Sequence, residues 1–240
     1  MTIHVVSFSG GKDSTCMLLM MIEKKMPIHQ IIFVDTTKEF PDMYKHIEEV
    51  KEYIKPLKIK TATMDYDYWF RRRRKTKTKK PNTTGYGFPG INSRWCTGIK
   101  IEAIQSMIMT SRYDPHQRSR FTLPSYVTQY VGIASDEYKR IKEHAHLRYP
   151  LVEWGVTEEE ALEYCYDKGF TWNGLYTKFK RVSCYCCPLQ PLSELYTLYK
   201  EYPDLWWQLE EMSKYSSTPF KGTTVDRLAT RFFNRLEAEK

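Results

Sequence analysis

One short segment constrains the fold of this chain more than any other. Residues 3–8 (IHVVSF) are a β-rich apolar run that ends directly in Ser9-Gly10-Gly11-Lys12-Asp13-Ser14. A Met- and Leu-rich helical stretch follows over 13–25. A strand that runs into a tight glycine turn and then a helix is the opening unit of a parallel α/β sheet. The turn also has a chemistry. Gly10 and Gly11 let the backbone approach an oxygen anion with no Cβ in the way. The helix N-terminus offers unpaired N–H groups and the positive end of its dipole. Ser9 and Ser14 add hydroxyls and Lys12 a point charge, so residues 9–14 read as a phosphate cradle. The spacing fits neither G-x-x-x-x-G-K-[ST] nor G-x-G-x-x-G, which excludes the P-loop NTPase and dinucleotide patterns.

The rhythm continues after the loop. Residues 30–35 (QIIFVD) read as a buried strand. A helix opens at Pro41 and Asp42 and runs to about Ile54, and 58–64 is a third strand. Residues 65–94 are a long loop rich in turn residues. Residues 99–111 read as helix and 126–133 as a fourth strand, which ends in Ala134-Ser135-Asp136-Glu137, where open α/β sheets place ligands. Beyond Pro150 the pattern is helical, with Thr157 as a cap for 158–168 and further helices over 193–201, 203–214 and 224–239. The expectation is a Rossmann-like α/β fold. Residues 1–150 form a mainly parallel twisted sheet with helices on both faces, and 151–240 form a helical, cysteine-bearing extension.

Charge and cysteines narrow the class. Of 37 basic residues, eight fall in 71–80 (RRRRKTKTKK); the other 29 balance the 29 acidic residues. The basicity is therefore local. Tyr66, Tyr68, Trp69 and Phe70 immediately precede it, a pattern that suits single-stranded nucleic acid, a lid over a nucleotide, or rings packed in the core beneath solvated charges. The longest apolar run, 16–22, is far short of the roughly 20 residues that span a bilayer, and the N-terminal residues lack the pattern of a signal peptide. The expected location is the reducing cytoplasm, with no membrane contact, where a disulfide framework is disfavoured. Cys184-Tyr185-Cys186-Cys187-Pro188 holds three of the six cysteines; its C-x-x-C spacing suits a metal or cluster, or a pair of reactive or buried thiols. Cys16 and Cys165 lie in helical stretches and read as small core residues. Tyr196, Tyr199, Tyr202, Trp206 and Trp207 form a stripe for a core or a homodimer contact.

The hexapeptide 9–14 resembles the signature of the PP-loop ATP pyrophosphatases, the adenine nucleotide alpha hydrolase-like superfamily. Further segments narrow the resemblance to its phosphoadenylylsulfate (PAPS) reductase branch. They are Val34-Asp35-Thr36-Thr37-Lys38-Glu39-Phe40-Pro41-Asp42, Arg94-Trp95-Cys96-Thr97 with Lys100, and Gly132-Ile133-Ala134-Ser135-Asp136-Glu137 with Arg140. Tyr149-Pro150-Leu151 with Glu153-Trp154 and Asn173-Gly174-Leu175-Tyr176 with Lys178 and Arg181 complete the set, in collinear order from about residue 3 to 190. Two features depart from the reductases. No cysteine follows Cys187, so their terminal Glu-Cys-Gly-x-His motif is missing, and the glycine loop, often degenerate in them, is intact.

The resemblance implies an adenine nucleotide (ATP, or PAPS or adenylyl sulfate) held by Ser9, Gly10, Gly11, Asp13, Ser14, Asp35, Thr36, Arg94, Lys100, Gly132, Asp136, Lys178 and Arg181. It implies catalytic roles for Lys12, Asp13, Asp35, Cys184 and Cys187, with Asp35 a candidate holder of Mg²⁺ or simply a helix-capping or turn aspartate, and Asp136 and Glu137 open to the same two readings. Cys96 would join Cys184, Cys186 and Cys187 around a [4Fe–4S] cluster, with zinc as second choice. The intact loop favours adenylation-dependent sulfur transfer with pyrophosphate release. The alternatives are a thiol-dependent PAPS or adenylyl sulfate reductase and a non-catalytic, nucleotide-dependent nucleic-acid-binding subunit. A separate sulfur-donor protein is the expected partner of the first.

Overall fold

The computed structural model describes residues 2–73, 84–118, 120–216 and 218–240. The chain divides into two compact units. The first comprises Met1–Asp35, Glu39–Met64 and Lys100–Val182; the second comprises Thr36–Lys38, Asp65–Ile99 and Ser183–Lys240.

The first unit carries a parallel sheet of β1 (Ile3–Phe8), β2 (Gln30–Asp35), β3 (Ile59–Thr63), β4 (Val127–Val131) and β5 (Leu147–Arg148), in the order β3-β2-β1-β4-β5. Phe8 pairs with Phe33 and Ser7 with Val131, so the carboxyl ends of β1 and β4 finish side by side. The order reverses at β1. Strands β2 and β3 step away on one side and β4 and β5 on the other. Right-handed crossovers then place the connecting helices on opposite faces and leave a crevice beyond β1 and β4. Ile31, Ile32, Phe33 and Val34 of β2 are all buried, as a strand covered on both faces requires. The edge strand β3 leaves Lys60 and Thr61 exposed.

The helices follow from local sequence. Helix α1 (Lys12–Glu23) buries Ser14, Thr15, Cys16, Met17, Leu18, Leu19 and Met21, so it is an inner helix, apolar nearly all round. Helix α2 (Pro41–Tyr53) has its proline in the first turn and buries Met43, His46, Ile47 and Val50 on one face. Helix α3 (Trp95–Thr110) begins four residues before the sequence expectation, because the Trp95 ring is buried and its indole N–H bonds Gly87 O at 3.0 Å. A short α4 (Pro150–Glu153) precedes α5 (Glu158–Asp167). The α5 N-terminus is fixed by a reciprocal capping box between Thr157 and Glu160. A one-turn helix, α6 (Leu175–Lys178), follows left-handed Asn173 and Gly174.

In the second unit a π-helical turn spans Tyr68–Arg72 and buries Trp69 and Phe70. The core reading of these two rings therefore holds. Of the basic segment, only Arg71, Arg72 and Arg73 are described; residues 74–80 lie outside the described residues. Helices α7 (Leu192–Glu201), α8 (Pro203–Ser213) and α9 (Val225–Ala238) pack through Tyr199, Trp206 and Phe232, with ring centroids 5.3–5.8 Å apart. Burial of a side chain such as Phe232 contributes roughly 1.5–3 kcal/mol. The expected aromatic stripe thus divides: Trp206 enters the core, whereas Trp207 faces outward. No helix among the described residues is long and apolar enough to cross a membrane.

Candidate functional site

The glycine turn closes on itself through serine. Ser14 Oγ donates to Gly11 O at 3.0 Å, accepts the Ser9 N–H at 3.1 Å and lies 2.9 Å from Ser9 Oγ. Gly10 has φ +80°, and a Cβ there would lie 2.7 Å from Met43 Sδ. Its carbonyl accepts the Trp172 indole N–H at 2.8 Å. Gly132, at the end of β4, explains its place in the motif. A Cβ there would lie 2.7 Å from Ser14 Cα and 2.8 Å from Ser14 N. The backbone beyond β4 therefore backs directly onto the first turn of α1. The Lys12 N–H, an unpaired donor of that turn, is taken by the Tyr176 phenolic oxygen at 2.8 Å.

These residues border a cavity of about 100 Å³ in the first unit, rimmed by Arg140, Lys180 and Arg181 and walled by Glu158 and Tyr176. Carboxylate oxygens of Asp13, Glu137 and Glu158 lie within 4.8 Å of one another, a spacing one divalent cation can bridge. Two cations now hold this trio. Lys12, only 6% exposed, contacts Glu158 at 2.6 Å and Asp13 at 3.0 Å, and Arg140 pairs with Glu137. Burial raises the Asp13 pKa; Lys12 opposes that shift, and Glu158 and Glu137 add to it. Burial likewise raises the Tyr176 pKa, so the phenol is neutral and keeps a proton to donate. Asp136, exposed, accepts the Glu158 N–H at 3.0 Å, so it fixes the start of α5 and with it the Glu158 carboxylate.

Other residues singled out from sequence have other surroundings. Asp35 accepts the Tyr44 hydroxyl at 2.8 Å, and Lys100 pairs with Glu39 at 3.5 Å. Arg94 and Lys178 are exposed, and neither borders the cavity. Thr36 belongs to the second unit, 3.3 Å from Cys184 Sγ. Conversely, Glu158, Tyr176 and Lys180 escaped selection. Glu158 reads as an ordinary first-turn acid, and Tyr176 and Lys180 carry no spacing signal of their own.

The second site lies in the second unit. Burial drives the Tyr66 pKa well up, and Cys186, Cys184 and Cys96 add to the shift, with a Tyr66–Cys186 hydrogen bond. The three thiols therefore gather about one phenol. Cys187 donates its N–H to Cys184 O at 3.1 Å, and the Gln190 amide holds the Cys184 and Tyr185 carbonyls. Among the described residues no three cysteine sulfurs lie within 4.8 Å of one another. One tetrahedral zinc, with Zn–S of about 2.3 Å, needs its sulfurs at about 3.8 Å. An all-cysteine donor set is the chemistry that zinc and iron–sulfur sites share.

Sheet order and strand direction define an α/β protein with an open parallel sheet, and a glycine turn and cavity lie beyond β1 and β4. The chain belongs to the phosphoadenosine phosphosulfate reductase domain family, whose profile matches residues 3–190. It is 26% identical over 223 residues to an uncharacterized protein of Methanocaldococcus jannaschii, covering 87% of this chain and 41% of that protein. It is 29% identical over 174 residues to an uncharacterized nin region protein of Escherichia phage lambda, covering 66% of this chain and 57% of that one. The chain therefore spans about half the length of these relatives. Among solved structures it aligns with the U34-tRNA thiolase NcsA from Methanococcus maripaludis with its [4Fe–4S] cluster. That alignment has 15% identity, covers 98% of this chain and 72% of that one, and has a TM-score of 0.42.

Proposed function

We propose that this chain is an ATP-dependent enzyme that adenylates an acceptor oxygen and supports its replacement by sulfur. One observation carries the reading: Asp13 and Glu158 line the same cavity as the phosphate cradle, and with Glu137 their carboxylate oxygens lie within 4.8 Å of one another. Three carboxylates beside an anion site repel a bare anion. They suit a nucleotide that arrives with a divalent cation. Lys12 and Arg140 now balance that charge, and a divalent cation taken by the carboxylates would free both for phosphate oxygens. We place the ion at this trio rather than at Asp35, whose carboxylate is engaged by Tyr44.

The residues then act in a definite order. Lys12 and Arg140, which now pair with the carboxylates, are the side chains that reach for phosphate oxygens. The loop N–H groups and the Ser9 hydroxyl hold the β and γ phosphates, and Lys180 and Arg181 flank them. An acceptor oxygen attacks the α phosphorus, the new P–O bond forms, and the α–β bridge breaks to release pyrophosphate. Lys12 and Arg140 neutralise the charge that grows on this leaving group, so positioning and electrostatics carry the rate. Mg²⁺, which Asp13, Glu137 and Glu158 would hold, would supply charge neutralisation to the phosphates. Inorganic sulfide, as HS⁻, then bonds to the activated carbon, the C–O bond breaks, and AMP leaves with the old oxygen. Cys96, Cys184, Cys186 and Cys187 would hold an iron–sulfur cluster, for which four thiolates are the ordinary donor set.

The test is product analysis with Mg²⁺, ATP, sulfide and a mixed nucleic-acid acceptor pool. Equimolar AMP and pyrophosphate support the reading. Sulfite from adenylyl sulfate or PAPS without ATP would instead establish the thiol-dependent reductase, with Cys184 or Cys187 as nucleophile. Absence of any turnover, with salt-sensitive nucleic-acid binding intact, would establish the non-catalytic subunit.

A further inference from the structure

A cavity of about 170 Å³ in the second unit is separate in composition from both sites above. It is lined among others by Lys38, Arg71, Tyr185, Trp207, Gln208 and Tyr215. Two of its large rings face solvent: Trp207 and Tyr215 are each 59% exposed. Exposed rings grouped at one cavity mark an interaction site. The Arg71 guanidinium lies 5.2 Å over the Tyr215 ring, and its buried Nε has no hydrogen-bond partner among the described residues. Arg71 is also the first residue of the run RRRRKTKTKK. The remaining charges of the cavity are paired, Lys38 with Asp67 at 3.2 Å and Glu211 with Lys214.

We infer that this cavity is a stacking cleft for a single-stranded nucleic acid. Exposed aromatic faces hold unpaired bases, and an arginine at the rim meets the backbone phosphate; together these are the two elements of single-strand recognition. A duplex keeps its bases stacked on each other and gives such rings nothing to grip. An acidic protein would use the arginine and leave both rings idle. The cleft also has a connection to the cysteines. Tyr185, which forms one wall, stands between Cys184 and Cys186, and its hydroxyl donates to Gln208 at 2.8 Å, on the opposite wall. A base held here lies beside the thiol-bearing turn of the same unit. The strand is then the acceptor of the sulfur transfer, a role that rests on the proposed function; the binding itself does not.

The experiment is fluorescence anisotropy with a short fluorescein-labelled RNA, the DNA of the same sequence, and the corresponding duplex, all without ATP. Tighter binding of either single strand than of the duplex supports the cleft, and the preferred sugar names the source. Loss of both rings in W207A/Y215A is expected to weaken single-strand binding by about tenfold or more, while W207F/Y215F retains it. Arg71→Gln is expected to flatten the salt dependence by about 0.7 in log–log slope, the value for one phosphate. Unchanged melting temperatures show that the variants fold. Equal affinity for duplex and single strand, unaltered affinity in W207A/Y215A, or no oligonucleotide binding would overturn the inference. Pyrophosphate release is scored in a separate assay, so failure of one reading is distinguishable from failure of the other.

Discussion

The Lys12 backbone N–H donates to the Tyr176 hydroxyl at 2.8 Å, so the phenolic oxygen stands where a phosphate oxygen would accept at the first turn of α1. The phenol thus satisfies an N–H that would otherwise lack a partner, and it must yield or share that N–H when phosphate enters. Tyr176→Phe keeps the ring and removes the competitor. The free protein is expected to lose about 1 kcal/mol of stability. Its affinity for inorganic pyrophosphate is expected to rise, as read by calorimetric titration. Weaker binding would show that the hydroxyl serves the ligand and is not a stand-in for it.

Gly132 touches the loop through backbone alone. Its added Cβ would lie 2.7 Å from Ser14 Cα and 2.9 Å from Asp13 C, atoms that cannot swing aside. Gly132→Ala is therefore expected to push β4 and the loop apart, costing about 1–3 kcal/mol. Nucleotide affinity should fall even where the variant remains folded. Urea unfolding and ATP titration at a temperature well below the transition separate the two effects.

His46 is a buried support for the same loop. Its Nε2 lies 3.0 Å from Thr15 Oγ1, and its ring packs 4.1 Å from Trp172, whose indole holds Gly10. Burial lowers its pKa to about 3 from the ordinary 6.5. The unfolded chain therefore binds a proton between these values that the folded chain refuses. Stability from this group is complete above pH 6.5 and is lost as pH falls toward 3, at roughly 1 kcal/mol per pH unit. His46→Gln should flatten that slope in urea titrations between pH 6.5 and 4. An unchanged slope would mean that other groups govern acid unfolding.

The thiols around Tyr66 make a compositional prediction. Protein purified without oxygen is expected to carry about four irons per chain and a broad visible absorbance. Cys96→Ala, Cys184→Ala, Cys186→Ala and Cys187→Ala should each lower the iron content. Cys16→Ala and Cys165→Ala, at buried positions on α1 and α5, should not. One equivalent of zinc with no iron would reassign the site as structural.

Much of this was legible because local patterns and tertiary demands agreed. β1 and β2 end where their apolar runs end, and the Thr157 cap and its Glu160 partner are written in consecutive residues. The elements that escaped are those created by contact. β5 is two residues long and has no period to detect; it exists because Gln129 and Tyr130 offer it an edge. The left-handed Asn173 carries no helix signal, yet it orients the turn that brings Tyr176 to Lys12. The cradle was visible as six adjacent residues. Asp13 lies within it and Glu137 in the 132–137 motif, but Glu158 was not legible, because it joins Asp13 across 145 positions of sequence through the Lys12 ammonium.

The central claim is that residues 9–14 cradle the phosphate tail of ATP, with a cation among Asp13, Glu137 and Glu158. A crystal structure with Mg²⁺ and the non-cleavable α,β-methylene analogue of ATP tests it most directly. The account expects the β and γ phosphates on the loop N–H groups, the ion bound to that carboxylate trio, and Lys12 released from Glu158 onto phosphate. A nucleotide bound with the loop vacant, or an ion held by Asp35 while the trio stays paired with Lys12 and Arg140, would contradict it.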